Sequence, residues 1–140
     1  MAQAKLQRTA PRNPDNGIAL LPEVLEKAYL WNSSGSGLIL SIPASADEPV
    51  VLMDLYHVVT TAFSGGTPSF TVGDGTDVDA YLASADIAET TLGAVVRMSD
   101  KANAKSGGEY LTSNLQITVT LSASLAAGGA KLLAVVYRLA

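Results

Sequence analysis

A chain of 140 residues with no cysteine, one histidine and a formal net charge of −4 is the size of one ordinary domain. Folding should remove about two-thirds of its unfolded surface from water without a covalent staple. These counts exclude a disulfide scaffold, thiol catalysis and zinc sites built on thiolates or imidazoles, and the mild acidity argues against a phosphate-binding groove.

Residues 1–22 read as an extended arm: Pro11, Pro14 and an Asp15-Asn16-Gly17 turn signal interrupt a polar stretch with little apolar periodicity. Lys5, Arg8 and Arg12 make this arm basic, and no acid occurs before Asp15. It is either a solvated tail or a segment that becomes ordered on an acidic neighbour. No apolar stretch like that of a secretory signal follows these cations, and no apolar run reaches the ~20 residues that span a bilayer. Neither export by that route nor membrane insertion is expected.

Residues 23–140 read as one domain. The segment 23–31, with Pro22 ahead of it and Val24, Leu25, Ala28 and Trp31 near one helical face, is either a short helix or the lead-in to a strand. A Ser/Gly cluster at 33–37 ends it, and Leu38, Leu40 and Ile42 then share one face of a strand that stops at Pro43. Residues 50–61 are apolar on both faces. Val51, Met53, Leu55, His57 and Val59 alternate with Val50, Leu52, Tyr56 and Val58, which predicts a central strand covered twice.

A short strand at 69–72 follows the turn at 64–67, and the alanine-rich stretch 80–89 predicts one or two helical turns. Residues 91–98 offer a β-branched run ahead of a polar loop at 99–108. Leu115, Ile117, Val119, Leu121 and Ala123 then alternate with polar residues, as a strand with one dry face requires. Gly128-Gly129 reads as a turn and 131–139 as the returning strand of a closing β-hairpin. Some six or seven strands without helices between them predict an all-β fold, an antiparallel, jelly-roll-like β-sandwich with an extended N-terminal arm.

Asp74, Asp77 and Asp79 are the main candidates for chemistry, because a flexible oxygen cage for calcium tolerates irregular ligand spacing. Their spacing departs from the helix-flanked calcium loop. A conformational role ranks ahead: Gly73 and Gly75 permit unusual backbone angles while the aspartates cap neighbouring N–H groups. Too few aromatics are present for sugar stacking beside paired acids. His57 lacks a nucleophile and an orienting acid, and the glycine pairs at 65–66, 107–108 and 128–129 lack the lysine of a phosphate loop. No enzyme activity and no cofactor are therefore expected. Tyr29 and Trp31 are either interface anchors or a lid on the core.

From about residue 39 to 137 the order of features resembles small tailed-phage virion proteins, in particular head decoration or cement proteins. The matching pieces are the Ser41-Ile42-Pro43 turn, the run at 51–63, the Val72-to-Leu82 segment, Ile117-Thr118-Val119-Thr120, and a Gly-Gly turn before Val135-Val136-Tyr137. The resemblance implies a β-sandwich that stabilises a phage head by association. It would be made in the host cytoplasm and come to lie on the outer capsid surface. Its partners would be the major capsid protein or another virion protein, and its own copies in a homo-oligomer, with a trimer favoured. Lys5, Arg8 and Arg12 would then contact a capsid or neighbouring subunit. The alternative reading is a tail- or neck-associated structural protein, or a module that binds a host receptor or glycan.

Overall fold

The structure, a computed structural model, describes residues 12–13, 17–18, 21–32, 38–101, 105 and 107–139. Lys5 and Arg8 lie outside these residues. Two short segments, β1 (Arg12–Asn13) and β2 (Gly17–Ile18), pair antiparallel with Asn13 opposite Gly17, while Asp15 and Asn16 of the turn signal lie outside the described residues.

The body consists of two antiparallel sheets packed as a sandwich. β3 (Pro22–Leu30), β5 (Val50–Ser64), β7 (Val95–Arg97), β8 (Glu109–Leu111) and β10 (Ala127–Arg138) form one sheet in the order β3-β10-β5-β7, with β8 also on β5. The other is β4 (Leu38–Ile42), β9 (Leu115–Leu121) and β6 (Phe70–Gly73) in the order β4-β9-β6. Between them lies one apolar core that includes Ile42, Leu52, Leu55, Phe63, Phe70, Tyr81, Met98, Ile117, Leu132 and Val136.

Strand β9 follows its alternation: Leu115, Ile117 and Val119 are buried, while Gln116, Thr118 and Thr120 look outward. The helix alternative for residues 23–31 does not form, because β3 is extended along the whole edge of β10, from Pro22 opposite Tyr137 to Leu30 opposite Gly129. The edge of β10 supplies a ladder of backbone partners, and this tertiary demand outweighs the helical tendency of the Glu, Leu, Lys and Ala residues. The alanine-rich stretch yields only a single 3₁₀ turn, Ser84–Asp86.

Two expectations about the long strands are corrected. First, β5 is not covered on both sides: Met53 is 44% exposed, and Val51, Tyr56 and Val58 are only half-buried. Its register against β10 slips around Met53 and again around Thr60, where two β5 residues oppose one β10 step. The bulge at Met53 switches the inward parity, so the core receives Val50 and Leu52 and then Leu55, His57 and Val59; the slip at Thr60 is offset by another between Thr61 and Ser64, and Phe63 again points inward. A bulged strand with one buried face imitates, in sequence, a strand with two.

Second, β9 and β10 do not form a hairpin. They lie in different sheets, β9 between β4 and β6 and β10 between β3 and β5. The outward residues of β10, Leu133, Val135 and Tyr137, are half-buried beside Tyr56, Asp54 and Val51, surroundings that the wet face of β9 does not offer. Gly128 belongs to β10. Its φ is +132°, and a Cβ there would lie 2.2 Å from Cδ1 of Phe63, so the glycine admits the aromatic ring against bare backbone.

Candidate functional site

The acidic turn leaves β6 after Gly73 and returns to it at Leu82. Val72 donates to and accepts from Leu82 at 3.0 and 3.1 Å, and its carbonyl also accepts from Tyr81 N–H at 2.9 Å. A close backbone crossing makes the turn possible: a Cβ on Gly73 would lie 2.0 Å from the Asp77 carbonyl oxygen. Asp74 Oδ1 accepts from the N–H groups of Thr76 at 3.0 Å and Asp77 at 2.8 Å. The Asp77 N–H bond is the largest reason that the Asp74 carboxyl is held below its ordinary range.

Asp77 Oδ1 in turn accepts from Asp79 N–H at 3.3 Å. The carboxyl of Asp79 is pushed up, first by a side-chain hydrogen bond with Asp77 and then by the charge of that neighbour. The three aspartates thus lie on one turn, and two of them hold its backbone. Among the described residues no three carboxylate or imidazole side chains are grouped as a metal ion would require.

Behind the turn, the buried Tyr81 donates its hydroxyl to Glu109 Oε1 at 2.8 Å, and Lys105 Nζ lies 2.7 Å from Glu109 Oε2. Burial is the main cause that raises the Tyr81 phenol above its usual range, followed by the Glu109 carboxylate. The loop is therefore fixed to β8 as well as to β6.

The structure separates the two aromatic candidates. Tyr29 is the one buried residue of β3 and forms part of the core, whereas Trp31, just past the strand, is 40% exposed and donates its backbone N–H to the Gly128 carbonyl. The Tyr29 ring reaches past the small Ala130 that is paired with it on β10, and its hydroxyl bonds Nε2 of His57. Phe63 and Phe70 complete this cluster, edge to face with centroids 4.5 Å apart.

His57 is 1% exposed, and its Nδ1 has no hydrogen-bond partner. Burial lowers its pKa from 6.5 to about 4, so the ring is neutral at neutral pH. Tyr29 is pushed well above its ordinary range by burial and then by the Glu89 charge, and it stays a phenol. This pair has the chemistry of a structural bond and offers no general base to solvent.

Sequence reasoning passed over three carboxylates that position the fold. Glu89 is 7% exposed, accepts from Phe70 N–H at 3.0 Å and thereby sets the start of β6. Asp54, at the first bulge of β5, accepts from Ser99 N–H at 3.1 Å and Ser99 Oγ–H at 2.8 Å. Glu109 holds the acidic turn. None belongs to a motif, because each acts on a residue distant in sequence, Glu89 on Phe70, Asp54 on Ser99 and Glu109 on Tyr81.

The outer faces of the sandwich differ in character. That of the three-stranded sheet is polar, with Ser41 opposite Gln116 and Thr71 opposite Thr120. That of the five-stranded sheet carries Val24, Met53, Val95 and Tyr110, exposed by 60%, 44%, 60% and 62%, beside half-buried Val51, Tyr56, Val58, Leu133, Val135 and Tyr137. Two ion pairs lie on this face, Lys131 with Glu26 at 3.3 Å and Arg97 with Asp100 at 2.9 Å, whereas Arg138, 2.9 Å from Glu23, is turned toward the other sheet and donates to the Pro43 carbonyl.

No protein-family model matches the chain, and no curated protein matches it. Among solved structures it is similar to a chain of the cyanophage Pam1 capsid asymmetric unit. The TM-score is 0.57 at 16% identity, over 100% of this chain and 98% of that one.

Proposed function

We propose that this protein is a structural component of a phage virion, a capsid decoration or stabilising protein that acts by association with the head lattice. The observation that carries the reading is the likeness of fold, over essentially the whole length of both chains, to a chain of a cyanophage capsid. The outer surface of the five-stranded sheet supports it. Exposed apolar side chains set beside internally neutralised charges suit burial against another protein, since a partner need not supply counter-charges to those pairs.

The protein acts by binding. A subunit that binds the assembled lattice and not its dissociated parts stabilises the shell by mass action. Its copies associate as a symmetric oligomer, which multiplies weak contacts on a repeating surface. The basic arm, with Lys5, Arg8 and Arg12, extends the contact to an acidic neighbour, either a capsid subunit or another copy.

The test is binding of the purified protein to expanded, DNA-free heads, compared with a Val24→Glu/Val95→Glu variant. Both side chains are already exposed, so the fold tolerates the change and the melting temperature stays within a few degrees of wild type. The expected result is saturable binding by the wild type and at least a tenfold loss in the variant. Absence of wild-type binding, or equal binding by both proteins, would sink the assignment.

A further inference from the structure

Strand β3 is attached to the sandwich unlike any of its neighbours. It is the edge of the five-stranded sheet, paired with β10 alone, and among the described residues no named strand lies on its other side. Of its nine residues only Tyr29 is buried, Leu25 is intermediate, and the rest are exposed. Its two ion pairs to β10, Glu23 with Arg138 and Glu26 with Lys131, involve side chains 37–52% exposed and add little. Apart from the backbone ladder and the partly buried Leu25, this strand is held in the core by the Tyr29 side chain, whose hydroxyl bonds the chain's single histidine.

The Tyr29 hydroxyl hydrogen needs an acceptor, and Nε2 of His57 is the one its bond provides. That tautomer places the ring proton on Nδ1, which already lacks a partner. A second proton makes both nitrogens donors, removes the lone pair that Tyr29 uses, and puts a charge into an apolar site.

The charged groups around the ring do not compensate. The Glu89 carboxylate bonds Phe70 N–H, while Asp86, Arg97, Asp100 and Lys101 line a cavity of about 130 Å³ that His57 borders from the β7 side. Arg97 is paired with Asp100 and lies 3.9 Å from Asp54, Asp86 accepts from Ala83 N–H, and among the described residues no carboxylate bonds the imidazole. From β3 the ring meets the Tyr29 phenol, and from β6 the apolar Phe70.

We propose that β3 is a detachable edge strand, latched to the sandwich through the Tyr29–His57 bond and released when His57 takes up a proton. Release exposes nine residues of strand and the edge of β10, and it moves the arm that precedes Pro22. With the imidazole at about 4 in the closed form and at its ordinary 6.5 in the open one, linkage makes the open form about 60-fold more populated at pH 4.5 than at pH 7. This inference does not depend on the virion reading.

Hydrogen exchange followed by mass spectrometry on the full chain, with times corrected for the intrinsic pH dependence of exchange, provides the test. At pH 7 peptides covering 22–30 should exchange ahead of those from β5 and β9. At pH 4.5 their protection should fall by tens of fold, while β9 stays protected. His57→Gln should abolish the pH dependence of β3, and Tyr29→Phe should leave β3 weakly protected at both pH values. Wild-type β3 that exchanges in step with β9 at pH 4.5 would overturn the proposal without any variant. So would acid-induced loss of protection that persists in His57→Gln.

Discussion

Lowering the pH from 7 to 4.5 should destabilise this protein through its single, buried histidine. The folded state holds His57 neutral down to about 4, whereas the unfolded chain binds a proton near 6.5. Above 6.5 neither state is charged and the stability is complete. As the pH falls the unfolded state takes up the proton first, so stability declines through this window and levels off below about 4. The separation of 2.5 pH units corresponds to about 3 kcal/mol, of which about 2 kcal/mol is lost by pH 4.5. That is a large part of the 5–15 kcal/mol typical of a domain. Urea unfolding at intervals between pH 7.5 and 4 measures it. Because the chain has one histidine, its imidazole NMR signals report the folded-state titration without ambiguity. His57→Gln should be less stable at pH 7 and nearly flat between pH 6.5 and 5. Flat wild-type stability across that range, or the same slope in the variant, would refute the reasoning.

Gly128→Ala should lower stability by at least about 2 kcal/mol, since its Cβ collides with the Phe63 ring at a φ of +132°; a thermal melt within two degrees of wild type would contradict this. Asp74→Ala removes the acceptor of two backbone N–H groups and should cost about 1 kcal/mol, read by urea unfolding. A chelator should leave the melting temperature unchanged, because the Asp74 and Asp77 carboxylates already hold backbone N–H groups. A fall on adding EDTA would restore the calcium reading of Asp74, Asp77 and Asp79. Deletion of residues 1–20 should preserve the melt of the body while weakening head binding; unchanged affinity would remove Lys5, Arg8 and Arg12 from the contact.

What the sequence made legible follows the range of the forces involved. The dry and wet faces of β9 are local in origin, and a period of two reports them faithfully. The course of β5 is not local: the bulges at Met53 and Thr60 belong to its pairing with β10, and the one at Met53 shifts the inward set from Val50 and Leu52 to Leu55 and His57. The partner of β10 was likewise hidden, because Gly128-Gly129 carries the same residue signal for a turn as for a glycine pressed against Phe63. Residues 23–30 show a weak helical tendency that an unsatisfied strand edge overrides. In the acidic turn, the glycines and aspartates foretold tight geometry, but Glu109, 30 residues beyond Asp79, could be assigned to it only after folding.

The central claim is that this chain is built into a phage head, and locating it in purified virions by electron microscopy tests that most directly. The account predicts density for the β-sandwich on the outer capsid surface, in a symmetric cluster, with the apolar face of β3, β10 and β5 against a neighbour. Virions whose head carries no such density, or whose only copies lie in the neck or tail, would contradict it.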